Sequence, residues 1–531
     1  MGPGVKTKPT ALSELVGKHV SQEHETASCA QPLTGVELSD VVRIRYASFK
    51  RKPLNFRKTL SQCARFVAFE RKGGSMLRKL GLASSSVALA SLAALALPGA
   101  PAVVSSTPSA VPMVVVGPVI KSASTSPPSA SSCKTAYGIA CYGPAQMAAE
   151  YNYGPAYGAG YNGSGQTIVI FDSYGSPTIR TDLKHFDSAY HLPAPPAFNI
   201  YHPEGNVVLN YNNLPSPANF NSKQLATEVG WAYETTLDVE YAHAMAPGAT
   251  IDLVTVPVSE TQGVQGLQNL EKAQAWALAN LHANIWSNSW ATTEQSFDSS
   301  TVIKQLNQLY AQAAAKGVSI FFAAGDSGVA NTNKQGATYP YPTVNYPASS
   351  PSVIAVGGTQ IGSEPTTIAS HVTEQVWNDG YGAGGGGYST VFPETSYQVK
   401  ASIPDRTGMR GLPDVSYNAA VISAVLIYES FDPVYGAGWV PIGGTSAATP
   451  QWAAVDAVAQ SALGSQGYLA PKLYKIYRTP SLYSKAFYNV TSGNNSFDGI
   501  TGYSATTGWS AAAGLGTPNV SGLITALGSL H

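Results

Sequence analysis

Charge is scarce in this chain: 12% of its 531 residues are Asp, Glu, Lys or Arg, and the two signs balance to zero. From Cys133 onward there are 15 Lys and Arg against 25 Asp and Glu. No basic face is available there for nucleic acid, which is held through its phosphates. Few cations also means little self-repulsion when carboxyls protonate, as suits an acid-tolerant protein. Cysteine is sparse as well, four residues in all. Cys29 and Cys63 lie far upstream, and Cys133 and Cys141 have no further metal-ligand partners nearby, so this pair is expected to form a local disulfide in an exported chain. No apolar run is long enough for a stable membrane span, and no internal repeat is present.

The first 80 residues reverse the charge balance, with 15 Lys and Arg against 6 Asp and Glu. Met76-Leu-Arg-Lys, the apolar LASSSVALASLAALAL and the small-residue PGAPA form the basic, apolar and cleavage regions of a secretory signal peptide. A signal peptide must be N-terminal. The expected organisation is therefore an upstream extension over 1–75, with translation starting at Met76, a signal peptide over 76–102, a flexible Ser/Pro/Ala-rich linker over 103–132 and a catalytic domain over 133–531. The exported part is expected to be secreted and monomeric.

About 400 residues after the linker suffice for one large domain with a substantial core. Strand-like QTIVIFD, TIDLVTV, VSIFFAAG and SVIAVGG alternate with helical LQNLEKAQAWALANLH and TVIKQLNQLYAQAAAKG. That alternation predicts an α/β fold with a mostly parallel sheet covered by helices.

Within this frame GGTSAATPQWAA puts the Ser446 hydroxyl on a bare glycine turn ahead of an Ala-rich helix, with Pro450 placed in the first helical turn. Alone, the string is equally a capped turn; a base must be found elsewhere. Nine histidines occur, but no HGTH-like string supplies one, and His243 lies in an apolar helical stretch that reads as packing. Glu234 and Asp238 stand four apart in a helical pattern with Leu237, Tyr241 and Met245. Carboxyls at that spacing share a face, repel when both ionise and can hold a shared proton, so one can act as a base in acid where imidazole is already protonated. Asp326 ends the apolar run SIFFAAGDSG. Protonated, it can donate to an oxyanion; otherwise it is an Asx-turn residue. Asp172, ending an earlier strand without a matching histidine, reads as structural.

The ordered blocks ETTLDVEYAHAMAPGA, SNSWA, FFAAGDSG and GGTSAATPQWAA resemble the sedolisins, serine-carboxyl peptidases of subtilisin-like fold, over roughly residues 141–520. The resemblance implies Ser446 as nucleophile, Glu234 as general base, Asp238 as its carboxyl partner and Asp326 as oxyanion acid. It implies a cleft for protein or peptide substrates walled by Ser287, Ser289 and Trp290 and by Gly385 and Gly386, with no cofactor in the chemistry. Family members usually hold Ca²⁺ near the C terminus through two Asp side chains and backbone carbonyls. Here Asn489, Val490, Gly508 and Ser510 occupy that stretch, and the loss of both carboxylates predicts no tightly held calcium unless Asp498 compensates. The family's folded pro-domain has no counterpart in 103–132. Two other readings are a silent peptide-binding protein on this fold and a neutral histidine-dependent protease, the latter disfavoured by the missing motif.

Overall fold

The computed structural model describes residues 126–205, 222–258, 266–365, 371–404, 407–432 and 436–530, together with two short strands upstream. The expected upstream extension and signal peptide lie outside the described residues. The upstream strands are β1 (Val111–Pro112) and β2 (Val115–Val116). After them come β3 (Ala140–Tyr142), β4 (Thr167–Ser173), β5 (Phe198–Tyr201), helix α1 (Ser222–Met245), β6 (Thr250–Val256) and β7 (Ile285–Asn288). The chain continues through β8 (Trp290–Thr293), β9 (Ser319–Ala323), β10 (Asn345–Tyr346), β11 (Ile354–Ile361) and β12 (Glu374–Val376). Next are β13 (Gly387–Pro393), β14 (Met409–Leu412), β15 (Val415–Asn418), β16 (Ser423–Glu429), β17 (Gly438–Gly443) and helix α2 (Thr445–Leu463).

Eight strands form the central sheet in the order β12-β11-β9-β7-β4-β6-β5, with β15 also on β11. Every pairing in it is parallel except β11 with β12. Parallel strands covered on both faces read as continuous apolar runs, and β4 shows how the faces divide. Ile168 and Ile170 join one core with Leu237, Tyr241 and Val455 from α1 and α2. Val169 and Phe171 point the other way, into a core with Leu270, Ile303 and Tyr310 from the helices Gly266–Asn280 and Ser300–Ala315. The fold is the mostly parallel, helix-covered α/β arrangement that the alternation predicts, as the resemblance to proteins of subtilisin-like fold also implies. Alanines at 447, 448, 453, 454 and 457 are buried in α2, small residues that let its neighbours approach closely.

Two sequence expectations change. Pro450 sits at the sixth position of α2, in its second turn, where it removes the N–H that would close onto the Ser446 carbonyl. The linker region is also less uniform than its composition implies. β1 pairs antiparallel with β8, β2 pairs antiparallel with β17, and a helix spans Ala130–Tyr137. Cys133 at that helix and Cys141 on β3 are joined as a disulfide, and β3 runs parallel to β16. Among the described residues no helix is long and apolar enough to cross a membrane.

Candidate active site

Ser446 follows the turn from β17 into α2. Gly444 there adopts φ +108°, which L side chains rarely reach, and a Cβ at Gly443 would press on the Ala419 carbonyl. The bare turn therefore serves close backbone packing. The Ser446 hydroxyl donates to the Ser289 carbonyl at 3.4 Å.

Helix α1 packs beside α2 and brings Glu234 and Asp238 to this point, both fully buried. Burial pushes the Glu234 carboxyl well above its ordinary range, the charges of Asp238, Asp172 and Asp326 add to the rise, and the neighbouring Ser446 hydroxyl opposes it. Neither Glu234 oxygen has a protein hydrogen bond among the described residues. Asp238 is raised by burial and by Asp172; Ser289 Oγ donates to its Oδ1 at 2.7 Å and holds the shift back.

Asp172 is the residue that sequence reasoning set aside. It is fully buried at the C-terminal end of β4, and its charge acts on both Glu234 and Asp238. Burial pushes its own carboxyl up to about 7. Strand ends are where α/β folds gather chemistry, and that signal was present in QTIVIFD; the absence of a histidine drew attention away from it. Three buried carboxyls this close cannot all ionise, so the group holds protons in acid.

Asp326 stands in the loop after β9, at the N-terminus of α2. Thr445 donates twice to its Oδ1, from the backbone N at 2.7 Å and from Oγ1 at 2.8 Å. Gly325 N donates to Thr445 Oγ1 at 3.0 Å and fixes the rotamer. Burial outweighs these bonds and lifts the Asp326 carboxyl to about 7. With Oδ1 accepting twice, the acid proton belongs on Oδ2, which has no partner among the described residues. The arrangement offers an O–H donor below neutral pH and a repulsive carboxylate above it.

The expected cleft residues Ser287, Ser289, Trp290, Gly385 and Gly386 are all buried. Ser287, Ser289 and Trp290 are fully buried, and Trp290 Nε1 donates to the Phe171 carbonyl at 3.0 Å. The glycine loop turns inward: Gly384 and Gly385 donate their N–H groups to Trp377 and Gly325 carbonyls, and a Cβ at Gly385 would strike the Ala324 carbonyl. Their small size serves packing behind Asp326. His243 is buried away from this group, with Nε2 2.8 Å from the Pro193 carbonyl and 3.3 Å from Asp187.

The calcium stretch closes on itself. Asn489 Nδ2 donates to the Gly508 carbonyl at 3.1 Å and to Tyr483 Oη at 3.0 Å, while Gly508 N donates to Asn489 Oδ1 at 3.0 Å. Ser510 Oγ accepts from Ala513 N, Val490 is buried in a small apolar cluster, and Asp498 is exposed in a turn. A neutral amide that uses up its donors and a carbonyl does not fit a hard divalent cation. Elsewhere Glu150, His371 and Glu374 place donor atoms within 4.8 Å of one another. Those groups are engaged: His371 Nδ1 lies 2.7 Å from Glu150, and Tyr151 and Thr359 each donate to Glu374 at 2.7 Å.

A serine backed by buried carboxyls at the head of an Ala-rich helix, on a doubly covered parallel sheet, defines the class, and comparison with known proteins supplies the family. Residues 210–507 match the Subtilase family. Kumamolisin of Bacillus sp. (strain MN-32) is 30% identical over 386 residues, 71% of this chain and 62% of that protein. Sedolisin of Pseudomonas sp. (strain 101) is 34% identical over 302 residues, 55% of this chain and 48% of that protein. The solved structure of Pseudomonas sedolisin, a serine-carboxyl proteinase complexed with two molecules of pseudo-iodotyrostatin, superposes with a TM-score of 0.60 at 29% identity, covering 74% of this chain and 99% of that one. The chain belongs to the subtilase family and, within it, to the sedolisins. It spans between about half and under two thirds of the length of these two curated relatives.

Proposed function

We propose that this chain is a secreted serine-carboxyl endopeptidase that hydrolyses extended peptides in acid through an acyl-enzyme on Ser446. The observation that carries the reading is the gathering of Ser446 with a buried carboxyl pair on α1 and a third carboxyl, Asp326, set against the start of α2. Ser446 Oγ attacks the peptide carbonyl while Glu234 takes its proton. Asp238, steadied by Ser289, and Asp172 set the proton affinity of Glu234. The oxyanion receives the Asp326 Oδ2 proton as a hydrogen bond. Glu234 then gives its proton to the leaving amine, and water repeats the sequence on the acyl group. Oxyanion donors of this kind contribute about 10²–10³ in rate. Secretion is supported by the signal-like stretch starting at Met76 and by the Cys133–Cys141 disulfide.

The test is a pH–activity profile on an unfolded protein substrate. An optimum below neutral that disappears in Ser446→Ala and in Glu234→Gln is expected. Undiminished activity in either variant, or an alkaline optimum, overturns the assignment.

A further inference from the structure

The loop that carries Asp326 and the turn that carries Ser446 are joined twice. The direct join is the pair of bonds from Thr445 to Asp326 Oδ1. The second runs behind them through the strip 377–386, and Asp379 is its corner. On one side the strip lies along the Asp326 loop: Ala383 N donates to the Asp326 carbonyl at 2.9 Å, Gly385 N to the Gly325 carbonyl at 2.7 Å, and Gly328 N to the Ala383 carbonyl at 2.8 Å. A Cβ at Gly382 would press on the Asp326 carbonyl. On the other side Asp379 Oδ2 accepts from Ile422 N at 3.1 Å. Ile422 belongs to the loop between β15 and β16, where the Ala419 carbonyl accepts from Gly444 N at 2.6 Å, two residues before Ser446. Asp379 Oδ1 accepts from Tyr381 N at 2.9 Å and from Gly382 N at 3.3 Å. These bonds close a ring from Asp326 through Thr445, Gly444, the 419–422 loop and Asp379 back to Asp326.

We propose that Asp379 is a positioning residue for the oxyanion step, its carboxylate fastening the loop that carries Asp326 to the loop beneath the nucleophile turn. The inference rests on the proposed function of that site. An Asx turn from Oδ1 onto 381–382 is an ordinary loop device. The bond to Ile422, 43 residues along the chain, is not local and occupies the second oxygen. All three partners are backbone N–H groups, so an acceptor-only carboxylate suits them, whereas an amide would turn a donor toward one of them. The same seating brings a charge to bear on Asp326. The groups that act on that acid are the neutral Thr445 at the start of α2, Glu234 on α1 and Asp379 on the strip. Thr445 favours the anion, and the charge of Asp379 favours the protonated form that can donate to an oxyanion. Asp379 is thus placed to act through Asp326, by holding the donor to the narrow geometry that the reaction rewards.

The experiment is a double-mutant cycle on the full chain, with kcat and KM read across acid and neutral pH. Asp379→Asn should lower kcat in acid by about tenfold, since a 1 Å misplacement can cost about 10² in rate, and should leave KM nearly unchanged. It should also move the neutral limb of kcat toward lower pH, because a negative charge acting on Asp326 is gone. Asp379→Glu keeps the charge on a longer arm, so kcat should fall while the limb stays in place. In an Asp326→Asn background, Asp379→Asn should cost less than about threefold and move no limb, because residues that act as a unit are not additive. An equal fold-loss in both backgrounds, or an unmoved limb in Asp379→Asn, overturns the inference and leaves Ser446-dependent digestion, and the proposed function, standing. Should Asp379→Asn fail to fold, Asp379→Glu decides, and a limb that moves toward acid overturns the inference. Digestion that survives Ser446→Ala overturns the proposed function instead. Hydrogen exchange in Ser446→Ala still reads the clamp: adding Asp379→Asn should speed exchange at Ile422 and Ala383 by about tenfold, as loss of a hydrogen bond to a charged group implies, and unchanged exchange overturns the inference.

Discussion

Ser289 faces two ways: its Oγ donates to Asp238 Oδ1 at 2.7 Å, and its carbonyl accepts from Ser446 Oγ at 3.4 Å. One residue on the short link between β7 and β8 therefore touches both the proposed nucleophile and the carboxyl pair. Ser289→Ala keeps the carbonyl and removes the hydroxyl. A hydrogen bond to a charged group contributes about 1.5–3 kcal/mol, so peptide turnover should fall by about tenfold or more. The Asp238 pKa should rise further, moving the acid limb of the profile upward. Steady-state rates measured between pH 2 and 7 decide this, and an unchanged profile would falsify the linkage between Ser289 and the base.

Asp326 is a donor only while protonated, and its carboxyl is raised to about 7. The oxyanion interaction should be present in acid and fade as pH rises through about 7. Asp326→Ala should lose about 10²–10³ in kcat. Asp326→Asn keeps an acceptor for Thr445 and an amide donor at every pH, so its residual activity should lack the Asp326 limb near neutral. Both variants are read from kcat against pH.

Buried carboxyls also set the stability of the fold. Asp172, Asp326 and Asp456 are raised to about 7, and Glu271 and Glu429 to about 8, in each case chiefly by burial. A carboxyl whose folded pKa lies above its unfolded value binds its proton more tightly when folded. Its contribution is complete below the unfolded pKa, near 4, and is lost as pH rises through the folded one. Thermal melts of Ser446→Ala should therefore show Tm falling from pH 4 to pH 8. Asp456→Asn, which needs no proton, should flatten that fall.

Chelation should leave the protein unaffected. Asn489 and Gly508 exchange hydrogen bonds where the family would hold an ion, so EDTA should change neither Tm nor activity. Asn489→Asp removes the amide donors and should destabilise by about 1–3 kcal/mol, as melts in EDTA would register.

Much of this was legible in the chain itself. The sheet strands and flanking helices follow from runs such as TIDLVTV and LQNLEKAQAWALANLH, because burial on both faces demands continuous apolar residues. Glu234 and Asp238 were legible because helical spacing fixes their mutual position. Asp172 was not, because its closeness to them depends on β4 lying in mid-sheet beneath α1, a relation between segments far apart in sequence. Gly385 shows a second use of glycine: it signals close approach, and its backbone packs against Ala324 and Gly325 inside the protein. Strand pairing at Val111–Pro112 and at Val115–Val116 is invisible in Ser/Pro/Ala composition, since the partners that make them strands lie some 180 and 330 residues away.

Pro450 gives the nucleophile a mechanical character of its own. A helix transmits displacement along its ladder of hydrogen bonds, and here one rung, from position 450 to the Ser446 carbonyl, is missing. The turn bearing Thr445 and Ser446 is buried like the rest of α2, and it is held by Asp326 at its front and by Thr449 Oγ1, which donates to the Thr445 carbonyl. On the proposed mechanism, the missing rung separates the turn that carries Ser446 from the rest of the helix ladder, so a shift of the serine with the substrate carbonyl need not break a hydrogen bond at position 450.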